Sequence, residues 1–124
     1  LPGGNLLIDT PTDLRTQLLR EKITVLHAVA FTHSHADHLF GLDDLRLFPI
    51  ALKASFPIYC TDEVEEVIRQ AFSYAFHPSG DDLPAGTLPK LEFRRINSAP
   101  FEVLGETFTP IPLLHGRFNC LGFR

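Results

Sequence analysis

The chain has 124 residues, of which 44% are apolar and 21% charged, and its formal net charge is −4 at pH 7. This length fits a single domain with a real core, and the acidic balance gives no electrostatic basis for nonspecific nucleic-acid binding. No apolar stretch approaches the ~18–20 residues that a membrane-spanning helix needs, and no signal peptide is recognisable. These features favour a cytoplasmic protein with neither a membrane nor a nucleic acid as its partner.

The predicted elements begin with a strand and a helix. Residues 6–10 form a short apolar run that ends in turn-forming residues, which is typical of a buried strand. Pro11 then suits the first turn of a helix with Thr10 as its cap, and a leucine stripe extends that helix to about residue 22. The chain opens without a methionine and reaches this strand almost at once, so it reads as a piece of a longer protein.

The remaining elements alternate between strand and helix and then become mainly strands. In chain order we predict a strand within 25–32, a helix that Pro49 closes, a strand at 57–60, a helix capped by Thr61, a loop at 77–90 and strands at 91–96, 101–104, 107–114 and 118–123. The helix after Thr61 is the clearest, because Val64, Val67 and Ile68 keep helical spacing. This order indicates an α/β chain with a mixed sheet and flanking helices.

The most informative segment is the run THSHADH from Thr32 to His38, which holds three of the six histidines and one carboxylate. Imidazole nitrogen and carboxylate oxygen are ligands that borderline-hard divalent metals accept. His33 and His35 point the same way if the backbone is extended. Asp37 and His38 fall where a helix is expected to start and can turn toward a second ion ~3.5–4 Å from the first. The run therefore predicts a two-metal hydrolytic site, with a structural metal as the alternative.

Placed between a strand and a helix, this run resembles the signature of the metallo-β-lactamase superfamily. The stretches GLDDLR at 41–46 and PIPLLHG at 110–116 resemble the branch that contains the phosphoribosyl cyclic phosphate phosphodiesterases and related uncharacterised hydrolases. The resemblance runs from about Leu6 to the last residue and implies a four-layer αββα sandwich. Residues 1–124 would then be one partial domain, roughly half of that sandwich, lacking its first strands and its C-terminal half.

The resemblance also implies a ligand set. His33, His35 and His115 would bind the first ion, and Asp37 and His38 the second. We hypothesise that Asp37 is also catalytic and assists proton transfer. Zinc or manganese would suit the mixed imidazole and carboxylate ligands. Relatives take a bridging aspartate and one more histidine from the half beyond this chain, so a site with a single ion is the alternative to two.

Other polar residues have weaker assignments. Asp9 ends a strand beside the site, and the resemblance implies that it steadies a metal-bound histidine, with a turn or helix cap as the alternative. Thr32 is interpreted as the strand end, with a backbone or hydroxyl contact to the site as the alternative. Arg117 is interpreted as either a phosphate ligand or a solvated loop charge. The other candidates are interpreted as surface or capping groups: His27, His77, Asp43 and Asp44. For His77, a substrate-facing role is the alternative. The cysteines Cys60 and Cys120 are expected to be reduced, buried thiols, with a disulfide as the alternative.

These features together predict a metal-dependent phosphodiesterase that acts on a small phosphodiester through a metal-bound hydroxide. The alternatives are a tRNA-processing nuclease, which would need a basic arm, a thioester or lactone hydrolase, and a truncated metal-binding fragment without turnover. The inner face of the sheet is expected to be apolar and uncovered. Such a face predicts association with another copy of the chain or with a complementary fragment.

Overall fold

The structure is a computed structural model that describes residues 1–76 and 83–124. Its centre is a parallel four-stranded sheet in the order β1-β2-β3-β4. The strands are β1 (Leu6–Ile8), β2 (Ala28–Ala30), β3 (Phe56–Cys60) and β4 (Leu91–Arg95). Because all four run the same way, their carboxyl ends share one edge of the sheet, where α/β proteins place their sites.

Helices cover one face of this sheet. They are α1 (Leu14–Arg20), α2 (Ala36–Leu39), α3 (Phe48–Leu52) and α4 (Asp62–Ala71), with 3₁₀ segments at Leu42–Leu47 and Ser73–Ala75. Alternate strand residues such as Val29, Phe56 and Ile58 face these helices and form the larger core with them. None of the helices in the described ranges is long and apolar enough to cross a membrane.

Two antiparallel hairpins pack on the other face. The first pairs β5 (Phe101–Val103) with β6 (Glu106–Phe108), and the second pairs β7 (Pro110–His115) with β8 (Phe118–Phe123). A smaller core on this side joins the sheet residues Ala28, Ala30 and Tyr59 to Val103 and Leu121 of the hairpins. The sheet face expected to be bare is therefore largely covered. Exposed apolar side chains occur at several places on the surface, and those on the β7–β8 hairpin are Ile111, Leu113, Leu114 and Phe118.

The α/β class predicted from the sequence is confirmed, and parallel and antiparallel pairing both occur, although in separate sheets. The single strand predicted at 107–114 is wrong, because the chain changes partner there. Residues up to Phe108 pair with β5, whereas those from Pro110 pair with β8. Strand β1 is only partly buried because it forms an edge of the sheet.

The prediction that Pro49 closes a helix is also wrong. The chain after the histidine run forms three short pieces, and Pro49 lies in the first turn of α3. Proline fits there because the first backbone N–H groups of a helix have no acceptor within the helix. Pro11 does not begin α1 either, since that helix starts at Leu14 after Asp13.

Candidate metal centre

The histidine run leaves the sheet at the carboxyl end of β2, beside the end of β1. Asp9 follows β1 with φ of 60°, a left-handed conformation that aspartate tolerates better than most residues. Its carboxylate accepts hydrogen bonds from the backbone N–H and the hydroxyl of Thr32, at 2.8 and 2.7 Å. It also accepts one from Nδ1 of His38 at 2.8 Å. One buried carboxylate thus joins the two ends of the histidine run.

The next residue, Thr10, fixes the helix that carries His38. Its backbone N–H donates to the carbonyl of His38 at 2.7 Å, and its hydroxyl donates to that of Leu39 at 2.8 Å. The prediction that Thr10 caps α1 is therefore wrong, because its hydroxyl satisfies the end of α2 instead. Gly41 permits this contact, since a Cβ there would stand 2.0 Å from the carbonyl oxygen of Pro11.

Three histidines converge on one point. Ring nitrogens of His33, His35 and His115 all lie within 4.8 Å of one another. Nε2 of His33 is 3.1 Å from Nδ1 of His35. Two nitrogens bound to one zinc ion at ~2.0–2.1 Å in tetrahedral geometry lie about 3.3 Å apart. The spacing of this pair therefore fits chelation of a single ion.

The third member of this trio comes from far along the chain. His115 ends β7, and the backbone N–H of Leu121 in β8 donates to the carbonyl of Thr32 at 2.9 Å. That bond holds the hairpin against the start of the histidine run. His115 itself is exposed, whereas only 5% of His33 is accessible to solvent.

Asp37 and His38 form a second group beside the trio. Oδ2 of Asp37 is 3.5 Å from Nε2 of His38, and the His38 ring centroid is 4.3 Å from that of His33. In a neutral ring, donation from Nδ1 of His38 to Asp9 leaves the lone pair on Nε2, the nitrogen that lies near Asp37. The pair thus presents one nitrogen and one carboxylate oxygen.

The electrostatic environment favours a neutral ring at His33. Burial lowers the pKa of His33, and the neighbouring rings of His38 and His35 lower it further. A neutral imidazole is the form that coordinates a metal ion. The donor set of this centre therefore fits a divalent cation.

The remaining predicted residues separate into those near the centre and those away from it. Arg117 and His33 both line a small cavity of about 160 Å³. His27 lies at the other end of β2, where its ring accepts the backbone N–H of Asn5 at 3.0 Å. His77 lies outside the described residues. Asp43 and Asp44 form ion pairs with Arg46 and Arg15, as surface charges do.

Two further groups contact His33. The hydroxyl of Thr32 lies 2.9 Å from Nδ1 of His33, which favours the alternative of a hydroxyl contact over a plain strand end. Both cysteines are free, as predicted, and burial raises the pKa of Cys60 to about 12. Cys120 is only half-buried, and its Sγ lies 3.8 Å from the same nitrogen of His33. No sequence spacing links Cys120 to the histidine run, so no local signal could have found this contact.

Fold and site together define an α/β domain with a histidine-rich centre at the carboxyl edge of a parallel sheet. Residues 4–124 match the family described as the beta-lactamase superfamily domain, and the chain belongs to that superfamily. This confirms the superfamily resemblance that the histidine run carries.

Solved structures agree with this assignment. A diphosphatase from the PhnP family is 35% identical with a TM-score of 0.81, and the match covers 96% of this chain and 43% of that one. The metallo-β-lactamase fold protein YhfI from Bacillus subtilis is 20% identical with a TM-score of 0.67, covering 96% and 44%. The chain thus spans less than half of either structure and shares the architecture of that part.

One relative in sequence is named as a transferase rather than a hydrolase. An octanoyltransferase of Porphyromonas gingivalis is 35% identical over 123 residues, which is 98% of this chain and 24% of that protein. The chain therefore spans about a quarter of this relative's length.

Proposed function

We propose that this chain carries the metal-binding part of a hydrolase that cleaves a small phosphodiester with the help of divalent ions. The convergence of three histidines, with Asp37 and His38 beside them, is the observation that carries this proposal. Similarity to a diphosphatase at 35% identity supports chemistry at phosphorus.

Each polar side chain of the centre then has a role. His33, His35 and His115 would hold the first ion, and Asp37 and His38 the second, with zinc or manganese as the ion. When bound, these cations would polarise the phosphoryl group and lower the pKa of a water molecule.

The chain's own residues would orient a ligand, accept a proton and bind the phosphate. Asp9 orients His38 through the bond to Nδ1. Asp37 is exposed and its carboxylate can accept a proton from the attacking water, which makes it the proposed catalytic residue. Arg117, on the same small cavity as His33, can donate to the phosphate oxygens.

The direct test is hydrolysis of bis-p-nitrophenyl phosphate with added manganese or zinc. We expect turnover that Asp37→Asn lowers by at least about 100-fold, while Glu66→Gln, which changes an exposed carboxylate on α4, leaves it unchanged. Turnover of a thioester or lactone instead of the phosphodiester would reassign the reaction. Bound metal with no turnover of any of these substrates would show a metal-binding fragment.

We also propose that the exposed face of the β7–β8 hairpin packs against a complementary half-domain. The supporting observations are its exposed apolar residues, above all Leu114 at 84%, and the coverage of only 43% of the similar diphosphatase. Light scattering of the purified chain, with and without Leu114→Ser, tests this proposal. Self-association that the substitution abolishes would identify a second copy as the occupant instead.

A further inference from the structure

The Thr32 hydroxyl lies between a carboxylate and a histidine of the metal centre. Its Oγ1 is 2.7 Å from Oδ2 of Asp9 and 2.9 Å from Nδ1 of His33. The backbone N–H of Thr32 also donates to the other oxygen of Asp9, at 2.8 Å. Side chain and backbone therefore hold the hydroxyl in one place.

The number of protons available fixes the direction of these bonds. A carboxylate can only accept, so the single hydroxyl proton of Thr32 goes to Asp9. The hydroxyl is then left with lone pairs toward His33, and Nδ1 of that ring must carry a proton. The proton of a neutral imidazole is thereby held on Nδ1. Nε2 keeps its lone pair, and this is the nitrogen 3.1 Å from His35.

We propose that Thr32 is a positioning residue that fixes His33 in the Nδ1–H tautomer, so that Nε2 is ready to bind an ion. Without this acceptor, the neutral ring is free to place its proton on Nε2, where it would block coordination. The inference rests on the metal centre described under the proposed function. It adds that one carboxylate, Asp9, orients a ligand of each proposed ion: His38 directly and His33 through a hydroxyl.

Cys120 is the competing partner for Nδ1 of His33. Its Sγ lies 3.8 Å away, and a thiol sulfur is a weaker acceptor than a hydroxyl oxygen. Cys120→Ala therefore serves as the matched control for Thr32→Val. The first substitution removes the weaker partner, and the second removes the hydroxyl with almost no change of shape.

The experiment determines the tautomer of His33 in the metal-free protein. Long-range ¹H–¹⁵N spectra at a pH where the rings are neutral distinguish a protonated from an unprotonated ring nitrogen, and His33→Ala identifies the signals of His33. We expect Nδ1–H in the wild type, in Thr32→Ser and in Cys120→Ala, and a mixture of tautomers in Thr32→Val. Nε2–H in the wild type, or an unchanged tautomer in Thr32→Val, would overturn the proposal.

A zinc competition titration supplies a second readout. We expect Thr32→Val to lower zinc affinity about 10–100-fold and Thr32→Ser to restore most of it, because hydrogen-bond partners of metal ligands typically contribute this much. Equal affinities in the wild type and Thr32→Val would contradict the positioning role. If Thr32→Val fails to fold, the tautomer of His33 in the wild type and in Thr32→Ser decides the question, and Nε2–H in either protein would overturn the proposal. If the wild type binds no zinc, the proposed function fails, while the tautomer measurement still stands.

Discussion

The frame of the metal centre, residues 9–10 and 32–41, differs sharply from the β7–β8 hairpin that supplies His115. In the frame, Asp9 and Thr10 fix the histidine run through bonds to Thr32, His38 and Leu39. In the hairpin, residues 111–119 are all exposed. The difference teaches that the centre has a pre-organised part and an adjustable part. The third imidazole, that of His115, lies on the exposed part.

Removing one histidine from each part should give the largest effect. We expect His33→Ala to lower zinc affinity by more than about 100-fold, because it removes a ligand and leaves the Thr32 hydroxyl without its imidazole partner. His115→Ala should cost less, since the chelating pair of His33 and His35 remains. Calorimetric titration with zinc measures both, and His27→Ala at the other end of β2 is the control. A larger loss in His115→Ala than in His33→Ala would refute the division into two parts.

Adding one methyl group to each part should give the next largest effect. In Gly41→Ala the new Cβ would meet the Pro11 carbonyl oxygen at 2.0 Å, so we expect a loss of about 3 kcal/mol in the free energy of unfolding. In Gly116→Ala the new Cβ meets nothing within 4 Å, and only the φ of 65° opposes it, at about 1–2 kcal/mol. Urea unfolding compares the two variants. Equal losses would mean that the frame relaxes as easily as the hairpin turn.

The smallest effect concerns pH and the ion pairs of Glu65 on α4, outside both parts. Burial acts to raise the pKa of Glu65, but hydrogen bonds from Arg95 and Arg69 outweigh it and hold that pKa below its usual value. The folded state therefore gains stability that is full above the unfolded pKa of about 4.3 and is lost as pH falls through the folded value. We expect Glu65→Gln to unfold at lower urea than the wild type at pH 7, with the gap closing in acid.

Glu66→Gln, on the same helix, is the control for this pH series. Its urea midpoint should follow that of the wild type at every pH, because Glu66 is exposed. A gap between Glu65→Gln and the wild type that persists or widens in acid would show that the ion pairs of Glu65 do not cause the effect.

The sequence predicted the parts of this molecule that depend on local pattern. Helix α4 follows from its apolar spacing, and its cap is Thr61, whose hydroxyl accepts the N–H of Val64 at 3.4 Å. The shared direction of His33 and His35 follows from their spacing. His115 came only through family resemblance, because no local rule brings a residue 80 positions away to the same point.

What the sequence missed depends on contacts between distant segments. The bond from Thr10 to Leu39 spans 29 positions, and the need for glycine at 41 arises from the carbonyl of Pro11. The sequence left a hydroxyl contact of Thr32 open but not its partner, because that hydrogen bond forms only when Asp9, at the end of another strand, approaches. Such pairings are properties of the assembled sheet edge, so a pattern within one element cannot reveal them.

The bond from the Leu121 amide to the Thr32 carbonyl has a dynamic consequence. Any fluctuation that lifts the hairpin must break this bond and withdraw His115 in the same event. The exchange rate of one amide hydrogen therefore reports the fraction of time for which the trio is incomplete. An ion held by both His33 and His115 would slow that exchange. The Leu121 amide is therefore a hydrogen-exchange probe for assembly of the centre.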